Sequence, residues 1–111
     1  MKQLEENVIQ WAQDRGIFEK ATPLTQHDKT IEEVIEIRDA LVRFQESDFH
    51  PRLFKGEAMD GIGDTIVTLI ILAKMLGTDI ETCLQMAWDQ IKDRKGKMID
   101  GKFVKEGGDN E

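Results

Sequence analysis

The stretch 63-GDTIVTLIILAKMLG-77 decides how this chain folds. Ile66, Leu69 and Ala73, with Ile62 just upstream, recur at helical spacing on one side. Val67, Ile71 and Met75 occupy the opposite side. A helix that is apolar on both faces is buried all round. Gly77 supplies the stop, which predicts a helix over about 57–76. One layer of helices in a chain of 111 residues rarely surrounds a helix completely, so the expectation is that this third helix also packs against another subunit. Cover by the N-terminal helix and the hairpin is the simpler alternative.

Working outward, the other elements punctuate clearly. A first helix over roughly 3–15 carries Leu4, Val8, Trp11 and Ala12 as its apolar stripe and stops at Gly16. Thr22-Pro23 reads as a cap followed by a first-turn proline, opening a second helix that runs to about 46 with Ile31, Val34, Ile35, Leu41 and Val42 on one face. Pro51 and Gly56 make 48-DFHPRLFKG-56 a connector. Thr78-x-x-Glu81 has the form of a capping box for a fourth helix to about 94. Asp100-Gly101, between short apolar runs, predicts a small hairpin. The expected fold is therefore all-α: an antiparallel four-helix bundle with a short C-terminal β-hairpin, oligomeric through the third helix. One helical domain is expected over 1–106, with a flexible tail at 107–111.

Composition narrows the function. Net charge is −7, which argues against gripping a nucleic acid polymer. The lone Cys83 has no disulfide or zinc-site partner, and the apolar run 66–76 falls short of the ~20 residues that cross a bilayer. A cytoplasmic protein without membrane contact is the expectation.

Within the second helix, 31-IEEVIE-36 stacks Glu32, Glu33 and Glu36 on one side, opposite Ile31, Val34 and Ile35. Acids one turn apart repel by about 0.2–0.5 kcal/mol per pair. A solvated face compensated by Lys29 is one explanation. On the third helix, Glu57, Asp60 and Asp64 also fall on one stripe, and Asp64 lies too far in for the helix dipole to account for it. Two acidic clusters on consecutive antiparallel helices can face each other, and carboxylate oxygens without His or Cys suit Mg²⁺, with Mn²⁺ as a substitute. A di-iron site would need Glu-x-x-His pairs, which neither His27 nor His50 provides. Neither a Walker-type phosphate loop nor a nucleophile elbow is present.

With these residues in view, the chain resembles the MazG-like all-α nucleoside triphosphate pyrophosphohydrolases, from 11-WAQDRGI-17 to 103-FVKEG-107. The family signature is Glu-Glu-x-x-Glu on one helix and Glu-x-x-Asp on the next. Glu32, Glu33 and Glu36 match the first part, with Gln26-x-x-Lys29 as lead-in; Asp64 in 63-GDTIVTL-69 matches the aspartate. Gly61 stands where the second part has glutamate, and Asp60 is the nearest acid on that stripe. The resemblance implies Mg²⁺-dependent hydrolysis of a nucleoside triphosphate, or its deoxy form, to the monophosphate and pyrophosphate. Glu32, Glu33, Glu36, Asp60 and Asp64 would hold metal, and Glu33 or Glu36 would serve as the base. Gln26 and Lys29, with Lys92, Arg94 and Lys95 from 91-IKDRKGKM-98, would contact substrate. A homo-oligomer, dimer or tetramer, is expected. The alternatives are an acidic helical interaction module without catalysis, or a nucleotide-binding member with weak turnover.

Overall fold

The computed structural model describes residues 1–46 and 51–107, the side chains of residues 51–54 excepted. The order is α1 (Lys2–Asp14), α2 (Ile17–Lys20), α3 (Pro23–Glu46), α4 (Pro51–Met75), α5 (Ile80–Ile91), β1 (Gly96–Ile99) and β2 (Lys102–Lys105). The chain is thus mostly helical, with a two-stranded hairpin near its C-terminal end. Residues 1–80 form one compact unit and residues 81–111 a second. Expectations for 48–50, including His50, and for most of the tail at 107–111 lie outside the described residues.

Local chemistry explains where the helices start and stop. Thr22 caps α3: its Oγ1 accepts the Thr25 amide at 3.2 Å, and Thr25 Oγ1 accepts the Thr22 amide at 2.9 Å. This reciprocal pair satisfies two amides that the helix cannot. Gly77, at φ 79°, ends α4 in a Schellman turn, with the Thr78 amide on the Ala73 carbonyl at 2.9 Å and the Gly77 amide on Lys74 at 3.0 Å. Asp100 (φ 51°) and Gly101 (φ 78°) form the two-residue turn that joins Ile99 to Lys102, as expected of Asp-Gly.

Three expectations need correction. α4 begins at Pro51 and runs through Gly56, where a connector was expected. Proline fits the first turn of a helix, and the Gly56 position faces open space, so neither interrupts it. A short α2 over Ile17–Lys20 follows Gly16 and was not foreseen. α5 spans Ile80–Ile91, shorter than expected, so Asp79 rather than Thr78 precedes its first helical residue. The Ile80 amide is bound by Glu5 Oε1 from α1 at 2.8 Å. Glu5 is buried, so this carboxylate has little water to fall back on.

Within the first unit α4 packs against both α3 and α1. Positions rise along α3 as they fall along α4: Thr30 meets Thr68, Ile37 meets Gly61, and Arg43 meets Glu57. The pair is antiparallel. Its buried seam is built from small residues, with Thr30 and Ala40 on α3 and Ala58, Gly61 and Thr68 on α4. Thr30 Oγ1 and Thr68 Oγ1 lie 2.9 Å apart, and Gln26 Nε2 donates to the Thr68 carbonyl at 3.1 Å. These buried polar contacts hold the helix register, because any slip would leave them unsatisfied.

Among the described residues, the face of α3 expected to enter the core is left exposed. Ile31, Val34, Ile35, Leu41 and Val42 are exposed, as are Ile62, Ile66 and Leu69 on α4. The buried apolar set is Ala12, Ala40, Ala58, Ile70, Ile71 and Ala73. In the second unit, Leu84, Trp88 and Ile91 of α5 are exposed as well. Among the described residues no single helix is long and apolar enough to cross a membrane.

Replacing Thr68 by Val keeps its volume but removes the hydroxyl that meets Thr30. The expected loss is about 1–2 kcal/mol, read as a lower midpoint in urea unfolding. An unchanged midpoint would show that the seam does not depend on that contact. Glu5→Ala, which strips a helix-start amide of its acceptor, should cost about 1 kcal/mol in the same assay.

Candidate functional site

The acidic residues of α3 divide between two environments. Glu33 lies on the seam side, one turn from Thr30, and is only 9% exposed. Glu32 and Glu36 flank it in solvent. An ordinary wet face would expose all three. Instead the carboxylate of Glu33 is enclosed, and its Oε2 is sealed from solvent without a hydrogen-bond partner among the described residues. Its Oε1 faces Lys29 Nζ at 3.4 Å, and the same ammonium lies 3.5 Å from Glu32 Oε2. Glu32, followed by Glu33, raises the pKa of Lys29 above its ordinary value and keeps it cationic.

Glu36 sits beside Glu33. Its pKa is raised, first by the hydrogen bond that a protonated Glu36 makes to Glu33, next by repulsion from the Glu33 charge; Asp64 adds a smaller repulsion from α4. The two facts about this pair belong together. A proton on Glu36 gives the Glu33 carboxylate a hydrogen-bond donor. Either a proton or another cation relieves the crowding.

On the α4 side, an open cleft of about 270 Å³ is lined by Glu36, Ala40, Arg43, Glu57, Asp60, Gly61 and Asp64. Here the structure does bring the two acidic helices face to face: Glu36 from α3 shares a cleft with Asp60 and Asp64 from α4. Glu57 also lines it but is bound by Arg43 Nη2 at 2.6 Å. Glu57 was read from sequence as part of the acidic stripe, but Arg43 and its pairing with Glu57 were not. Only the antiparallel register, which sets position 43 against 57, could have revealed them.

A hard divalent cation fits part of this description. The donors are all carboxylate oxygens, and one of them is enclosed and unpartnered. The fit stops short of a preassembled site. Among the described residues no three carboxylate, imidazole or thiol groups converge closely enough to hold a metal ion. Glu36, Asp60 and Asp64 are exposed and their side chains can rotate; Glu33 is fixed.

The residues expected to touch substrate are distributed unevenly. Lys29 lies on the acidic cluster itself. The amide of Gln26 is buried against α4 and donates to Thr68. Lys92, Arg94 and Lys95 belong to the second unit, where Lys92 Nζ lies 3.6 Å from Asp89. Arg94 and Lys95 line a cleft of about 390 Å³ together with Lys105 and Glu106. Both tryptophans, expected as packing residues, are partly exposed: Trp11 lies under the Arg15 guanidinium at 4.4 Å, and Trp88 is on α5.

Comparison with known proteins adds little about chemistry. No family model matches the chain. Over 74 residues, 67% of the chain, it is 36% identical to an uncharacterized 18.2 kDa protein in the rep-hol intergenic region of Haemophilus phage HP1. The match spans 40% of that protein's length. No solved structure matches.

The raised pKa of Glu36 has a definite signature. The folded state holds this proton more tightly than the unfolded chain, whose value is near 4.5. Unfolding stability therefore declines as pH rises from that value through the raised one, and is regained on acidification. In thermal melts of the metal-free chain between about pH 4 and 7, Glu36→Gln should lack this decline. Parent and variant curves that run parallel would mean that Glu36 does not feel Glu33.

Proposed function

We propose that the chain is a Mg²⁺-dependent nucleoside triphosphate pyrophosphohydrolase of the MazG-like kind. The observation that carries this reading is Glu33: an enclosed carboxylate with an orphaned oxygen, crowded by Glu36 and facing a second acidic helix. Burying an anion this way is costly unless a cation accompanies it.

In this reading Glu33, Glu36 and Asp64 hold the ion, with Glu32 and Asp60 at the margin. Mg²⁺ held there, with Mn²⁺ as a substitute, would supply charge neutralisation for the triphosphate and Lewis acidity toward water. The reaction adds water across a phosphoanhydride bond, giving the nucleoside monophosphate and pyrophosphate. Glu33 or Glu36, whichever keeps an oxygen off the ion, orients the water and takes its proton. Lys29, Lys92, Arg94 and Lys95 offset negative charge on the phosphates. A cytoplasmic setting, where nucleotides and Mg²⁺ are both found, suits this chemistry. The Gln26 amide, already bound to Thr68, supports the site by holding register.

The proposal includes the quaternary arrangement: α1, α3, α4 and α5 as an antiparallel four-helix bundle that assembles with other copies through α4. The support is the large set of exposed apolar side chains, Ile62, Ile66 and Leu69 on α4 and Ile31, Val34 and Ile35 on α3. Burial of such side chains stabilises by about 1.5–3 kcal/mol each, and this chain alone leaves that unrealised. Ile66→Asp should shift the protein toward monomer in sedimentation velocity. Retention of the parent's sedimentation coefficient would remove α4 from the interface.

A specific observation favours a second reading. Gly61 leaves the second helix without the family glutamate, which points to a member that binds nucleotide and turns it over slowly. A pyrophosphate-release assay over the nucleoside and deoxynucleoside triphosphates, with and without Mg²⁺, separates the two. Glu36→Gln and Asp64→Asn should each lower release by about a hundredfold while the helical circular dichroism persists. Release at the parent's rate in both variants would disprove the site.

A further inference from the structure

Gly61 departs from the family signature, and the structure gives that departure a physical role. The residue is buried where α4 crosses α3. A Cβ built on it would lie 2.7 Å from Ile37 Cγ1 and 3.6 Å from the Ile37 Cα. The first distance is well inside van der Waals contact, and Cγ1 is not the free end of a flexible chain. Ile37 is β-branched, and on a helix such a side chain keeps essentially one rotamer. Even a methyl group at 61 must therefore push the helices apart or force Ile37 off its rotamer.

The surrounding residues turn this contact into a spacing device. Ile37 follows Glu36 directly and lies one turn beyond Glu33. Gly61 lies one turn before Asp64. The other seam positions are equally lean: Ala40 and Ala58 are buried toward one end, and the Thr30–Thr68 pair lies toward the other. Along α3 the positions 30, 33, 37 and 40 alternate steps of three and four, as do 58, 61, 65 and 68 along α4. Helices that keep this spacing present one continuous seam. Glu33 is the carboxylate at that spacing on α3, and its Oε2 is buried without a hydrogen-bond partner among the described residues.

We propose that Gly61 is a positioning residue: by admitting Ile37 into the space of its absent side chain, it sets the α3–α4 separation at which Glu36 shares the cleft with Asp60 and Asp64. The inference rests on the cleft being a divalent-cation site. The chain has exchanged a carboxylate on α4 for a helix contact. The space a longer side chain at 61 would enter is occupied by Ile37, so residue 37, on the partner helix, decides what position 61 can carry.

The test uses the full chain, Mn²⁺ as probe, binding read by electron paramagnetic resonance, and thermal melts as an independent readout. Gly61→Ala should lower both the melting temperature and the Mn²⁺ affinity, the latter by roughly tenfold. Ile37→Ala alone should lower the melting temperature with little change in affinity. The double variant, which removes the colliding atom, should regain affinity to within about twofold of the parent. A double variant that binds no better than Gly61→Ala, or a Gly61→Ala that binds like the parent, overturns the proposal. If Gly61→Ala does not fold, the double variant decides by the same comparison with the parent. Gly61→Glu in the Ile37→Ala background provides a separate arm: Mn²⁺ should bind more tightly than to the parent, and no gain counts against the proposal. Absence of Mn²⁺ binding in the parent overturns the cation reading itself, a result distinguishable from a parent that binds and a Gly61→Ala that does so equally well.

Discussion

The close approach of α3 and α4 is the constraint on which the rest of this structure depends. Two helices can come together this tightly only if the side chains between them are small, and Thr30, Ala40, Ala58, Gly61 and Thr68 are. The arrangement has two consequences. Backbone proximity puts Glu36 and Asp64, on opposite helices, within each other's electrostatic field. It also seats Ile37 against Gly61, while Ile31, Val34 and Ile35 of α3 and Ile62, Ile66 and Leu69 of α4 stay exposed. The acidic site and the Ile37–Gly61 contact are two results of one packing decision.

That decision also explains which parts of the fold were legible in the sequence. Local signals read correctly because their physics is local: Thr22-Pro23 opens α3, Gly77 closes α4, and Asp100-Gly101 turns the hairpin. Pro51 misled because the same residue both interrupts helices and begins them, and only its neighbours on α4 settle which. Hydrophobic periodicity misled differently. Ile31, Val34 and Ile35 form the more apolar stripe of α3, yet the face buried within the chain carries Gln26, Thr30, Glu33 and Ala40. A stripe reports that a face avoids water; it does not report which molecule covers it.

The candidate site was half legible for the same reason. The carboxylates of α3 and α4 could be assigned to facing helices from spacing alone, and Glu36 of α3 lines a common cleft with Asp60 and Asp64 of α4. What spacing could not give was the difference between Glu33 and its neighbours. On a helical wheel Glu32, Glu33 and Glu36 look alike, whereas in the fold one is enclosed and two are wet. Likewise, Gln26 looked available for a ligand and is instead tied to the Thr68 carbonyl. Arg43 attracted no attention because its meaning depends on Glu57, fourteen residues away in sequence.

Charge balance at this cluster carries the argument one step further. Three carboxylates, Glu32, Glu33 and Glu36, stand near one ammonium, Lys29. Lys29 contacts two of them at 3.4 and 3.5 Å, from a position half exposed to water. One of the two carboxylates is exposed and the other enclosed, so a single ammonium is shared between them and offsets only part of the repulsion around Glu33. The pKa of Glu36 is raised, first by its hydrogen bond to Glu33 and next by the Glu33 charge. A proton on Glu36, or a cation beside it, would each lessen this crowding.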